Sequence, residues 1–237
     1  MNKIETLKEM IKESNNIVFF GGAGVSTESG IKDFRSKDGL YNQKYKYPPE
    51  DILSHTFFIE NTEEFYKFYT DKLNSLKYEP NITHFKLAEL EKRGKLKAII
   101  TQNIDGLHHK AGSHVVYELH GSVLRNYCIK CHREYSAEYV FGATGIPKCT
   151  CGEIIKPDVV LYEEPLDDSV VEPAIDAISN ADMLIVAGTS LTVYPASGFI
   201  RYFKGKYLVI INRDKTPYDE IADLVINDSL GNVFKYL

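Results

Sequence analysis

Four apolar residues, Ile17-Val18-Phe19-Phe20, run directly into the glycine turn Gly21-Gly22-Ala23-Gly24, and this junction constrains the chain more than any other feature. So short an apolar run, closed by turn residues, reads as a buried parallel strand. Ser26, Thr27, Glu28 and Ser29 follow it and read as the start of a helix. A strand, a glycine turn and a helix start are the usual cradle for a diphosphate, because glycines admit the backbone closely and free N–H groups favour negative charge. A tight βα turn without a ligand has the same pattern, so the glycines alone do not decide. Two details sharpen the reading. Thr27 stands where the dinucleotide fingerprint has Gly or Ala, and the region from Lys44, KYKYPPED, is polar and broken by Pro48 and Pro49. A dehydrogenase would place a strand ending in Asp or Glu about 20 residues on. Instead the loop Asp33-Phe34-Arg35 follows. The stretch Asn16 to Tyr41 therefore reads as a nucleotide site whose first loop does something other than plain hydride transfer.

Further apolar runs at 97–101, 115–119, 183–187, 207–211 and 224–226 read as strands, and 158–162 looks extended. Helical spacing covers 1–15, 61–76, 82–93 and 167–180. Thr83 is the expected cap of the third helix and Gly94 its stop, and Pro173 is expected to delay or bend the fourth. Strands alternating with helices give an α/β fold: a parallel sheet with helices on both faces. Residues 41–60 are Tyr- and Pro-rich and irregular, and 125–156 has lower apolar density and reads as an inserted module. A chain of 237 residues holds one large domain with room for such an insertion. Its net charge of −5 and pI of 5.8 argue against nucleic acid, which needs a basic face, and leave a basic peptide open. The N-terminal MNKIETLKEMIKES has helical rather than signal-peptide spacing, and no run approaches the roughly 18 apolar residues of a membrane span. The expected compartment is the cytoplasm, with no membrane partner, where cysteines stay reduced.

The four cysteines fall in one stretch: Cys128-x-x-Cys131, seventeen residues, then Cys149-x-Cys151. Two close thiol pairs suit tetrahedral zinc, and four thiolates close the site, so the metal is expected to be structural. Free thiols or disulfides are the other readings, and adjacent His132 is a weaker rival ligand. Polar residues gather where strands end. The second strand delivers Gln102, Asn103, Ile104 and Asp105, more hydrogen-bonding side chains than a helix cap needs. The third delivers His120 beside Gly121, an imidazole suited to proton abstraction near neutral pH. Gly188-Thr189-Ser190 and Asn212-Arg213-Asp214 end two later strands, where ligand contacts and ordinary loop chemistry look alike.

Taken together, GAGVSTESGIKDFR (22–35), TQNIDGLH (101–108), ELHG (118–121), the cysteines, KPDVVLYEE (156–164), GTSLTVYP (188–195) and INRD (211–214) resemble the sirtuin family of NAD-dependent protein-lysine deacylases. The motifs occur in the family's order over nearly the whole chain. The resemblance implies a Rossmann-like NAD-binding domain (1–40, 81–121 and 159–237) and a small domain with a helical part (41–80) and a zinc-binding part (122–158). It implies NAD as co-substrate and one structural zinc. Ala23, Thr27, Phe34 and Arg35 would line the diphosphate and nicotinamide-ribose region, with Gln102 and His120 facing the ribose. Ile104 and Asp105 would hold the carboxamide. Gly188, Thr189, Ser190, Asn212, Arg213, Ser229 and Leu230 would hold the adenosine half. Val159, Val160, Leu161 and Tyr162 would pair with an acetyl-lysine peptide as a strand, a mode that tolerates many sequences. His120 would be the general base, with Asn103 also catalytic. An ADP-ribosyltransferase on the same site is the alternative, and a zinc-ribbon binding module with a degenerate nucleotide fold is a third reading.

Two departures stand out. Glu163 occupies a position where family members often have Gly, so its carboxylate either favours Lys- and Arg-rich peptides or points into solvent. The desuccinylating branch has a Tyr and an Arg three apart in the small-domain helix; here Tyr66 is matched but Tyr69 replaces the Arg. A buried succinate would lack its cation, so uncharged acyl groups are expected.

Overall fold

The computed structural model describes residues 2–33, 39 and 45–237. Its strands are β1 (Ile17–Gly21), β2 (Leu96–Thr101), β3 (Val116–Glu118), β4 (Gly121–Cys128), β5 (Glu134–Ser136), β6 (Ile155–Val159), β7 (Met183–Ala187), β8 (Tyr207–Ile211) and β9 (Leu224–Ile226). Six of them form one parallel sheet in the order β3-β2-β1-β7-β8-β9. The alternation of side chains along β1 explains the layers. Ile17 and Phe19 face one way and pack with Leu7, Ile11, Leu87, Leu90, Val233 and Phe234 from helices Lys3–Glu13, Ile82–Lys92 and Leu230–Phe234. Val18 and Phe20 face the other way, against Ala174 and Ile178 of helix Asp168–Asn180 and the 3₁₀ segment Ala196–Tyr202. Every residue of β1 and β7 is buried, as central parallel strands require.

A second, antiparallel sheet has the order β5-β4-β6. It shares a separate core with helices Pro49–Ile52, His55–Glu60 and Thr62–Lys72. Tyr66 and Tyr69 are buried there; the Tyr66 hydroxyl donates to the Ile155 carbonyl, and Tyr69 stacks on Phe65 and Phe141.

Several local expectations are corrected. No α-helix follows the glycine turn: Ala23–Val25 and Thr27–Ser29 are two separate 3₁₀ turns, ended by Gly30 at φ +94°. Asn81, not Thr83, caps helix Ile82–Lys92, because its extended backbone lets its side chain accept the Thr83 N–H at 2.9 Å. Pro173 lies inside helix Asp168–Asn180 without delaying it, since Asp167 already caps the first turn. The extended stretch ends as a strand at Val159, earlier than expected, because Tyr162 leaves the sheet to bond the Leu53 carbonyl.

The strand order reverses between β1 and β7, and there the loops after these strands touch. The Gly24 N–H donates to the Gly188 carbonyl at 2.8 Å. A Cβ on Gly24 would lie 2.7 Å from the Gly188 Cα, and one on Gly188, at φ +60°, would lie 2.6 Å from the Val25 nitrogen. Both conflicts are with backbone, so nothing flexible can give. Gly188→Ala is therefore expected to lower stability by about 1–3 kcal/mol. Urea unfolding of the variant beside the wild type checks this; equal midpoints would contradict the close approach.

Candidate functional site

Ligands of open parallel sheets sit at the carboxyl ends of the strands, at the point where the order reverses. A cavity of about 500 Å³ opens there. Ala23 and Thr27 line it from the loop after β1, and Gln102, Asn103, Ile104 and Asp105 from the loop after β2. Gly188, Thr189 and Ser190 follow β7, Asn212 and Arg213 follow β8, and Ser229 and Leu230 follow β9. His120 and the segment Val159, Val160, Leu161 and Tyr162 complete the wall. The sequence-identified residues thus converge on one space, except Phe34 and Arg35, which lie outside the described residues.

His120 sits at the turn from β3 into β4. Its Nδ1 is 2.9 Å from the Gln102 carbonyl oxygen, which can only accept, so Nδ1 carries the proton and Nε2 is left with a lone pair. Burial holds its pKa below the usual histidine value, partly offset by that hydrogen bond, so the ring is neutral at pH 7. The Gln102 side chain reaches across to the Thr189 hydroxyl at 3.2 Å and ties the loops after β2 and β7. The His120 carbonyl accepts the Val160 N–H at 3.0 Å, which joins the imidazole's own backbone to the segment expected to hold peptide.

Behind the Asn103 and Asp105 pair lies a buried polar chain that the sequence did not reveal. The Asn81 N–H donates to His84 Nδ1 at 3.2 Å, so the His84 proton is on Nε2, which faces the Ser26 hydroxyl at 3.5 Å. Asn103 Nδ2 also donates to Ser26, at 3.1 Å. With two donors on its oxygen, Ser26 must give its own proton to Asp105, 2.6 Å away. The second Asp105 oxygen accepts the Leu107 N–H at 2.9 Å. Burial pushes the Asp105 carboxyl above its usual range, against hydrogen bonds from Ser26, Leu107 and Asn103. Burial also depresses His84 to about 4 and keeps it neutral. His108 packs on His84 with ring centroids 4.8 Å apart, and neither of its nitrogens has a partner among the described residues. In the sequence His84 stands in the first turn of a helix and His108 two residues after Gly106, and only the folded register brings His84 to Ser26 and His108 to His84.

At the peptide-side lip the structure corrects one reading of Glu163, that it points into solvent. Its carboxylate is tied down: one oxygen accepts the Thr56 N–H at 2.9 Å and the Thr56 hydroxyl at 2.7 Å. Glu163 adopts φ +76°, the left-handed region, which accounts for Gly being the easier residue at this place. Tyr66 and Tyr69 do not line the cavity; both are committed to the core under the second sheet.

The four cysteine sulfurs lie within 4.8 Å of one another, with Cys128–Cys151 and Cys131–Cys149 each at 3.5 Å. A tetrahedron with Zn–S bonds of about 2.3 Å has edges of roughly 3.8 Å, so this donor set fits zinc. The Cys151 amide and the Tyr135 hydroxyl donate to Cys149 and hold its thiol down to about 6, the thiolate form a metal requires. His132 is not part of the group.

The family profile described as "Sir2 family" matches residues 22–195. An "NAD-dependent protein deacetylase" of Clostridium perfringens (strain 13 / Type A) is 62% identical over 236 residues, covering 98% of this chain and 97% of the relative. A protein of the same description from Clostridium acetobutylicum is 59% identical, covering 99% and 98%. Among solved structures, a Sir2 variant with deacetylated p53 peptide and 3′-O-acetyl ADP ribose superimposes with a TM-score of 0.90 at 37% identity, over 98% of this chain and 96% of that one. A Sir2–p53 peptide–NAD+ complex gives 0.87 at 37%, over 98% and 95%.

The cysteine geometry makes a direct demand. Elemental analysis is expected to find one zinc per chain, and chelation to unfold the β5-β4-β6 sheet, since metal binding of roughly 10–16 kcal/mol in small zinc modules is folding energy. A metal-free protein with an unchanged thermal midpoint would show that zinc has no structural role.

Proposed function

The chain belongs to the Sir2 family, and we propose that it is an NAD-dependent protein-lysine deacetylase that transfers the acetyl group to ADP-ribose, releasing nicotinamide, O-acetyl-ADP-ribose and free lysine. The observation that carries this reading is His120: neutral, with Nδ1 committed to the Gln102 carbonyl and Nε2 free, where the nucleotide loops meet the peptide segment. That placement favours deacetylation over ADP-ribosyl transfer to protein, because a base aimed at a ribose hydroxyl serves acyl capture.

Bound NAD supplies a glycosidic carbon that becomes electrophilic as nicotinamide leaves, as in glycoside cleavage. The chain's residues do the rest. Asp105 and Ile104 take the carboxamide; Asp105 arrives already desolvated and held by Ser26 and Leu107, so it needs no reorganisation. Asn103 completes that polar wall. Ala23 and Thr27 bring the loop after β1 to the diphosphate, where Gly22 and Gly24 leave backbone room. Gly188, Thr189, Ser190, Asn212, Arg213, Ser229 and Leu230 take the adenosine half. Phe34 and Arg35 are assigned by their motif alone to the nicotinamide ribose, with Phe34 as the residue that would keep water from the reacting carbon. Val159, Val160, Leu161 and Tyr162 align the acetyl-lysine peptide. The acetyl oxygen would bond to the glycosidic carbon as the bond to nicotinamide breaks. His120 Nε2 would take the proton of a neighbouring ribose hydroxyl as that oxygen attacks the acyl carbon, and addition of water with cleavage of the acyl C–N bond would release lysine and leave the acetyl group on the ribose. Residues 1–40, 81–121 and 159–237 serve as the NAD-binding domain, with 41–80 and 122–158 as the small domain. No described helix is long and apolar enough to cross a membrane, and four reduced cysteines suit the cytoplasm, where we place the protein.

The test is nicotinamide release from NAD with and without an acetyl-lysine peptide, alongside mass spectrometry of the peptide. Peptide-dependent release with loss of acetyl is expected, and a gain of ADP-ribose without deacetylation would favour the transferase. Succinyl peptides are expected to lag, since the position that holds an Arg in the desuccinylating branch is here Tyr69, buried in the core outside the cavity. His120→Ala should cut turnover by about 10²–10⁴-fold with NAD affinity within a few fold. Because the His120 pKa lies below the usual value, wild-type kcat/KM should hold at pH 6.5 and fall only as the ring is protonated at lower pH. A rate already halved above pH 6.5 would refute this assignment.

A further inference from the structure

Five hydrogen bonds tie Tyr162, Glu163 and Glu164 to the start of helix His55–Glu60. The Tyr162 N–H donates to the Leu53 carbonyl and the His55 N–H to the Tyr162 carbonyl, each at 3.0 Å. Thr56 gives its N–H and its hydroxyl to Glu163. His55 Nδ1 stands 2.8 Å from Glu164, whose other oxygen accepts the Leu161 N–H at 2.9 Å and Lys156 Nζ at 3.1 Å. Both backbone polar groups of Tyr162 are thus already used within the chain. Glu163 and Glu164 add side-chain bonds to this backbone pairing, and Glu163 does so from the left-handed region, at φ +76°.

We propose that Glu163 is a positioning residue that latches the peptide-binding lip to helix His55–Glu60 through Thr56, and is not a reader of basic side chains. This rests on the deacetylase reading. The physical consequence is preorganisation. Residues 160–164 have left the β6 ladder and would otherwise be ordered by the peptide at the peptide's expense in affinity. With the lip held beforehand, affinity depends on the acyl-lysine and the peptide backbone more than on neighbouring charge. Thr56 is the natural partner because its N–H is among the first of a helix, which no carbonyl of that helix can satisfy.

The test separates latch from charge. Glu163→Ala removes both, Glu163→Gln keeps an oxygen acceptor and removes the charge, and Thr56→Val removes one donor without touching Glu163. A latch predicts that Glu163→Ala raises the peptide KM about three- to tenfold for acidic, neutral and basic acetyl peptides alike, with the NAD KM steady. Glu163→Gln shifts it less than Ala does, and the Glu163→Ala/Thr56→Val double variant is no worse than Glu163→Ala alone. Hydrogen exchange supplies a readout that needs no turnover: the Thr56 amide, bonded only to Glu163, exchanges faster in Glu163→Ala than in wild type. A loss confined to basic peptides and equal in Gln and Ala would overturn the proposal, as would unchanged Thr56 exchange. If wild type fails to deacetylate while exchange responds as expected, the latch stands and the deacetylase reading falls.

Discussion

The contact on which the site depends is the approach of two backbones, Gly24 to Gly188, at the reversal of strand order. Parallel strands splay their exit loops apart at such a point, and ligands enter the crevice so formed. Here the crevice is pinched at its base by glycines on both sides, with the Gly22 N–H on the Ala187 carbonyl at 3.2 Å and the Gly24 N–H on Gly188. The His120 side of the cavity is hung from that pinch. Gln102 bonds the Gly21 carbonyl with its backbone and Thr189 with its side chain, and His120 takes its orientation from Gln102. A shift of the pinch would move the imidazole through two hydrogen bonds.

The second organising idea is fixed hydrogen-bond polarity. A backbone carbonyl cannot donate and a backbone amide cannot accept, so Gln102 decides which His120 nitrogen is basic, and Asn81 decides which His84 nitrogen donates. From His84 the polarity passes through Ser26 to Asp105 without a free choice at any step. Such chains cost stability when any member is left unpaired and give precise orientation when all are satisfied. The same polarity explains why neutral histidines suit this place: a charged His84 would give Nδ1 a proton facing the Asn81 N–H, donor against donor.

Much of this was legible in advance, for identifiable reasons. The central strands announce themselves as short apolar runs, and β7 and β8 begin and end where the runs do. Polar residues at strand ends are legible because topology, not packing detail, puts them together. The 3₁₀ turns at Ala23–Val25 and Thr27–Ser29 were not, since small polar residues begin either kind of turn. The contact of Glu163 with Thr56 was not legible because the two lie over a hundred residues apart. Roles for Phe34 and Arg35 rest on their motif alone. Ser26 carried a faint signal as a small polar residue beside the glycine turn, whereas His84 and His108 carried none, because a buried histidine is distinguished by its neighbours and not by its spacing.

His108 shows why the polar chain is worth its cost. A buried hydrogen-bonding group left unmet costs about 1–3 kcal/mol, and neither nitrogen of His108 meets a protein partner among the described residues. A leucine would fill such a space without that penalty. What a leucine would not do is present an imidazole to His84 while Phe19 closes the opposite side at 6.1 Å. Burial and the neighbouring His84 and His109 rings drive the His108 pKa well below the usual value, so it stays neutral and leaves no charge beside Asp105. An uncharged backing therefore leaves the Ser26 hydroxyl and the Leu107 amide, one on each oxygen, as the groups that orient the Asp105 carboxylate.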